Sequence, residues 1–120
     1  MVISRLSDCR EFLAGDHTIL RELLHPAKAS AAVGYSLAHG KLNAGARSKR
    51  HRLASSEVYY FLAGNGRFAI GHETATVGPG TMIYVPAGAI QWVENTGTAV
   101  LEFLCIVDPA WRVKDEEVME

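Results

Sequence analysis

Imidazole, carboxylate and phenol groups carry most of the chemistry available to a chain of this kind, and His51, Glu57 and Tyr59 lie close together near its middle. An imidazole nitrogen binds divalent ions or moves protons near neutral pH, and a carboxylate does either once it is withdrawn from water. Along a strand, side chains alternate between faces, so Glu57, Tyr59 and Phe61 share one face. Alternation back from His51 turns Lys49 to the same side. Lys49, Tyr59 and Phe61 are therefore candidate substrate-binding residues. Tyr59 is also a weak candidate for a general base, although a packed wall residue is the commoner use of an inward tyrosine. The run Arg47-Ser48-Lys49-Arg50-His51-Arg52 sets cations beside the histidine. They would draw a carboxylate or phosphate toward a nearby pocket. The alternative is a solvated loop whose arginines pair with the acidic C-terminal tail.

Many short strands must position these groups. Runs of β-branched, aromatic and leucine residues punctuated by Gly, Pro and Asn predict strands over His17–Leu24, Val33–Leu42, Arg50–Leu53, Glu57–Leu62, Arg67–Ile70, Thr74–Val77, Thr81–Val85, Ile90–Glu94 and Ala99–Val107. Gly64-Asn65-Gly66, Gly78-Pro79-Gly80 and Pro86-Ala87-Gly88 read as tight turns, each expected to join antiparallel neighbours. Such strands must protect their edges, which a double-sheet jelly roll or closed barrel does. An immunoglobulin-like sandwich is disfavoured by the lack of its Cys and Trp spacing. Before Gly15, Asp8 and Glu11 resemble a capping box, and Leu6, Cys9, Phe12 and Leu13 recur at helical spacing, which predicts a short N-terminal helix over 1–15. The barrel is expected over 16–109. The charged tail 110–120 is expected to be frayed or weakly helical, with Trp111 as its one anchor.

The 120 residues, with 48% apolar, suffice for a single core. A net charge of -1 gives no field that would hold nucleic acid or an anionic membrane. The cysteines, Cys9 and Cys105, lie far apart and suit a reducing compartment as free thiols. No apolar leader or membrane-length stretch is evident, so a cytoplasmic protein is expected.

The central part of the chain resembles the cupin superfamily. Its first motif is a glycine, five residues, His-x-His, three or four residues, Glu, six residues and glycine, and Gly45, His51, Glu57 and Gly64 fall in register with it. Its second motif is matched by Gly80, Pro86, Gly88 and Asn95, with Gln91 where a histidine is expected. The resemblance implies an all-β cupin jelly-roll barrel with a divalent metal ion, Zn, Mn, Fe or Ni, held by His51, Glu57 and Gln91. Leu53 replaces the second histidine of His-x-His, so only His51 and Glu57 remain of the usual ligands. A glutamine carbonyl is a weaker and harder ligand than imidazole. His39, His25 or water would complete the shell. The alternative is a metal-free pocket in which the same side chains hydrogen-bond one another and a ligand.

Small cupins act on small molecules, so the resemblance implies a metal-dependent enzyme on a polar, anionic metabolite. An isomerase acting on sugar phosphates and a dioxygenase or decarboxylase are the reactions it suggests. A non-catalytic small-molecule or sugar-binding module is the other reading, favoured by the lost histidines. Fold alone does not choose between them. A homodimer is expected, with Trp92, Trp111 and the apolar face of the first strand as surfaces in need of cover.

Overall fold

Strict two-residue alternation decides which side chains meet. In β10 (Leu101–Asp108), Leu101, Phe103, Cys105 and Val107 are buried while their neighbours face out. The same rhythm buries His51 and Leu53 in β4 (His51–Leu53), Glu57, Tyr59 and Phe61 in β5 (Ser56–Ala63), and Gln91, Val93 and Asn95 in β9 (Gln91–Asn95). A computed structural model describes all 120 residues. The remaining strands are β1 (Glu11–Leu13), β2 (Ile19–Leu24), β3 (Ser36–Leu42), β6 (Gly66–Ile70), β7 (Glu73–Val77), β8 (Met82–Val85) and β11 (Glu116–Val118).

The strands form two antiparallel sheets, one ordered β1-β2-β3-β10-β5-β8 and the other β11-β4-β9-β6-β7. This is the all-β double-sheet fold expected. Phe61, Phe68, Phe103, Leu42, Leu101, Val85 and Val93 fill the core between the sheets. Aromatic contacts join across and within the layers: the Tyr59 ring meets Phe68 of the facing sheet edge-on at 4.8 Å and Phe103 of its own sheet at 5.4 Å. Such pairs add to the area they bury.

Every strand anticipated between residues 17 and 107 is present, but three expectations are corrected. The N-terminal helix is absent. Residues Leu6–Asp8 make only a single 3-10 turn, and Glu11–Leu13 is a strand paired with Ile19–Arg21 of β2. Helical spacing lost to a cross-strand partner that lies in the next strand of the chain. The tail is not frayed either. Its last residues form β11, which pairs with β4 through Glu116 and Leu53, Glu117 and Arg52, and Val118 and His51. Third, the three anticipated turns do not make hairpins. β5 pairs with β8 and β10, whereas β6 pairs with β7 and β9, so the Gly64 turn, the Pro79 turn and the Pro86 turn each carry the chain from one sheet to the other. The two-residue hairpin is Gly71-His72, between β6 and β7, with Gly71 at φ 57°. At the Gly64 crossing, φ is 85° and a Cβ would lie 2.6 Å from the Val100 carbonyl oxygen, so only glycine fits.

Trp92 does face away from the core. It is half-buried under the guanidinium groups of Arg47 and Arg67, at 5.3 and 5.8 Å from its ring centre.

Candidate functional site

His51 and Gln91 stand directly opposite each other, because their pairing is the one register contact between β4 and β9. Glu57 and Tyr59 approach from β5 in the facing sheet. The side chains meet in a short relay: the Tyr59 hydroxyl donates to Gln91 Oε1 at 2.7 Å, and Gln91 Nε2 donates to Glu57 Oε1 at 2.9 Å. His51 is fixed from the other side. Its Nδ1 meets the Lys49 carbonyl oxygen at 2.7 Å, and its Nε2 lies 3.3 Å from Asp16 Oδ2.

Asp16 is the site residue that sequence reasoning missed. It sits in the turn between β1 and β2, where its carboxylate accepts the Thr18 N–H at 3.1 Å and the Thr18 hydroxyl at 3.0 Å. Between them His17 takes a positive φ of 75°, an uncommon conformation for a non-glycine residue. The Lys49 N–H donates to the Asp16 carbonyl oxygen at 2.7 Å, which ties this turn to the segment leading into β4. The Asp-x-Thr pattern is a local signal for such a turn. Nothing local says that the turn is folded into the barrel, so a long-range contact was needed to find it.

A cavity of about 50 Å³ opens beside these groups, lined by Asp16, His51, Glu57 and Tyr59, with Phe103 and Cys105 behind and Phe12, Glu22, Trp111 and Glu116 toward one end. Its walls carry the carboxylates of Asp16, Glu22, Glu57 and Glu116, and His51 is the one basic side chain among them. Burial pushes the Glu57 carboxyl up to about 7, against the opposing pull of the Gln91 hydrogen bond and the His51 charge. Burial, together with the nearby Glu57 charge, also drives the Tyr59 phenol and the Cys105 thiol well above their ordinary values. Tyr59 is therefore a hydrogen-bond donor near neutral pH, which does not suit the role of general base.

Other candidates lie elsewhere. Phe61 is fully buried in the core and does not line the cavity. Lys49 reaches the site through its backbone only; its side chain is absent from the wall. His39 faces the outer side of its sheet, where Nε2 lies 3.1 Å from Glu102. Both ring nitrogens of His25 are engaged, Nε2 by the Trp111 carbonyl oxygen at 2.8 Å and Nδ1 by the Ala27 N–H at 3.1 Å. Neither histidine is placed to complete a shell around His51. The basic run is turned to the tail, as its alternative reading held: Arg47 pairs with Glu120 and Arg52 with Glu117, each at 2.7 Å.

The donor chemistry of the site fits a divalent ion. With Nδ1–H fixed on a backbone carbonyl, Nε2 presents a lone pair, the arrangement that orients metal-binding histidines, or, in the imidazolium, a second N–H for Asp16 to accept. The 3.3 Å approach of Nε2 to Asp16 Oδ2 is met by a proton in the imidazolium and by a shared cation when the ring is neutral. That separation also matches two ligands on one tetrahedral ion with bonds of about 2.0 to 2.1 Å. As arranged, however, Glu57 and Gln91 satisfy each other, and no three His, Cys, Asp or Glu side chains form a ready-made cluster.

The chain belongs to the cupin family. A family model described as "Cupin domain" matches residues 38–107, a span that runs from within β3 to within β10. An uncharacterised protein of Methanocaldococcus jannaschii is 33% identical over 92% of this chain and 89% of its own. Among solved structures, "a predicted oxalate decarboxylase" from Thermotoga maritima superposes with a TM-score of 0.77 at 24% identity, over 91% of this chain and 99% of that one. The nucleoside dehydratase Pac13, from Streptomyces, gives 0.80 at 17% identity, over 100% and 92%. At these identities the superpositions show the shared fold and leave the reaction open. No helix is long and apolar enough to cross a membrane.

Proposed function

We propose that the cavity is the small-molecule site of a metal-dependent enzyme, with a divalent ion held by His51 Nε2 and Glu57, and with Gln91 as its weakest ligand. Asp16 adds a second carboxylate to the set. The observation that carries this reading is the 3.3 Å approach of His51 Nε2 to Asp16 Oδ2 with Nδ1 already committed to a backbone carbonyl. One imidazole with carboxylate and amide oxygens suits Zn, Mn, Fe or Ni. Bound there, the ion would polarise a carbonyl or carboxylate oxygen of the substrate.

The chain's own residues supply the rest. Tyr59 and Gln91 hold Glu57 in orientation, and Phe103 and Trp111 give the space apolar walls. The relatives' names span decarboxylation, dehydration and cyclisation, and a decarboxylase or isomerase acting on a small polar metabolite is the class favoured. With no Lys or Arg on the wall, an anionic substrate would find its charge partner in the ion. The apolar outer faces of β5, β8 and β10 support a homodimer.

A non-catalytic binding module is the second reading, and one observation favours it: the Tyr59–Gln91–Glu57 relay is complete without any ion. Elemental analysis of protein purified without added metal separates the two. A stoichiometric transition metal supports the enzyme; a metal-free protein that still binds small molecules in a thermal-shift screen supports the module.

A further inference from the structure

The cavity is too narrow for a metabolite as it stands. At about 50 Å³ it has room for a few water molecules, since one needs on the order of 10 to 15 Å³ on the same measure. A metabolite cannot enter unless a wall moves. Outside lies a groove of about 360 Å³, and Phe12, Glu22 and Trp111 line both spaces, so they form the partition between them. Trp111 belongs to the C-terminal segment, as does Glu116 on the cavity wall, and the indole N–H donates to Glu116 Oε2 at 3.0 Å.

The backbone of Trp111 is anchored, its N–H on Ser36 Oγ at 2.9 Å and its carbonyl oxygen on His25 Nε2 at 2.8 Å, but the β11 end of the segment is lightly held. None of residues 108–120 is fully buried. β11 is the outermost strand of its sheet, three residues long, and pairs with β4 alone. Beyond its ladder and the indole bond to Glu116, its ties are the Met119 N–H on the Arg50 carbonyl oxygen at 2.8 Å, the Ala54 N–H on the Asp115 carbonyl oxygen at 2.9 Å, the Arg50 N–H on Glu120 at 2.6 Å, and the ion pairs Arg52–Glu117, Arg47–Glu120 and Arg50–Glu120. Those pairs are at the surface, where salt screens them. Few buried contacts and exposed hydrogen bonds mark a segment that opens below the global unfolding energy.

We propose that β11 and the Trp111 indole are the door of the cavity: the strand peels from β4, the indole loses its Glu116 partner and swings out of the partition, and the inner cavity joins the outer groove to admit a ligand. The arginines of the basic run set how often the door opens. This rests on the cavity being the ligand site and not on what holds the ligand there.

Cys105 reports the opening directly, because it is buried on the cavity wall and Cys9 is the chain's other cysteine. In a Cys9→Ser background, the rate of Cys105 labelling by a small methanethiosulfonate is measured against the rate in the unfolded protein at the same salt. Loss of three surface ion pairs in Glu117→Gln/Glu120→Gln should speed labelling by up to about tenfold. Raising salt should speed the parent toward the same rate, which needs no variant beyond the background. Labelling should stay flat in low urea while the unfolding midpoint hardly moves. The door is overturned if neither salt nor the double substitution changes the rate, or if labelling climbs with urea in step with global unfolding.

Discussion

Gln91 holds Tyr59 and Glu57 with one amide, taking the phenol on its carbonyl and giving its N–H to the acid. Above about pH 7, where Glu57 is ionised, the orientation is forced, because a protonated phenol donates and an ionised carboxylate only accepts. Tyr59→Phe should therefore leave the Gln91 carbonyl buried without a donor and cost about 1 to 3 kcal/mol. Urea denaturation of the variant and the parent measures this, and equal stabilities would show that the relay carries no strain-free preference for the hydroxyl.

Glu57 makes stability depend on pH with a defined sign. The unfolded chain loses this proton near 4.5 and the folded chain near 7. Between those values the folded state binds more protons, so raising the pH destabilises it. The contribution is fully present below pH 4.5 and lost once pH passes about 7, a change of about 3 kcal/mol. Glu57→Gln should remove it. Denaturation of metal-free protein at pH 4.5 and 8 should show the parent losing about that much more stability than the variant.

Much of this site was legible because the motif residues sit on strands. His51, Glu57, Tyr59 and Gln91 all turned inward on period-two alternation, which needs only local sequence. The same rule failed for Lys49, which precedes β4 and lies outside the strand that would impose the alternation. Asp16, Trp111 and Glu116 were out of reach because they join the cavity through pairings distant in sequence, β11 with β4 and the Asp16 turn with Lys49. The turns at Gly64, Pro79 and Pro86 show the limit most clearly: their residues fix a reversal of the chain and leave open which sheet receives it.

Gly40 faces Phe103 across the β3–β10 ladder, and a Cβ there would run into the Phe103 ring. Gly40→Ala should displace a ring that serves both the core and the cavity wall, at a cost of about 1 to 3 kcal/mol. Thermal unfolding checks it; a variant as stable as the parent would mean the ring has room to move.

Tyr60, Leu62, Met82, Tyr84 and Ile106 lie exposed on the outer face of β5, β8 and β10, with β8 an open edge. Trp92, covered by arginines, and Trp111, on the cavity wall, are not the surfaces in need of cover that the sequence suggested. A homodimer should bury the exposed face instead. Light scattering should give a dimer mass for the parent at micromolar concentration and a monomer for Met82→Lys/Tyr84→Lys. A monomeric parent would remove the dimer from this account.

The most direct test of a metal centre at His51 is calorimetric titration of metal-stripped protein with Zn and with Mn. The parent should take up a single ion per chain at micromolar concentration, His51→Ala should take up none, and Gln91→His should bind Zn more tightly because imidazole is the better ligand. If the parent binds neither ion while Gln91→His with Leu53→His does, the cupin barrel stands but the metal-dependent enzyme is contradicted, and the cavity is a binding module.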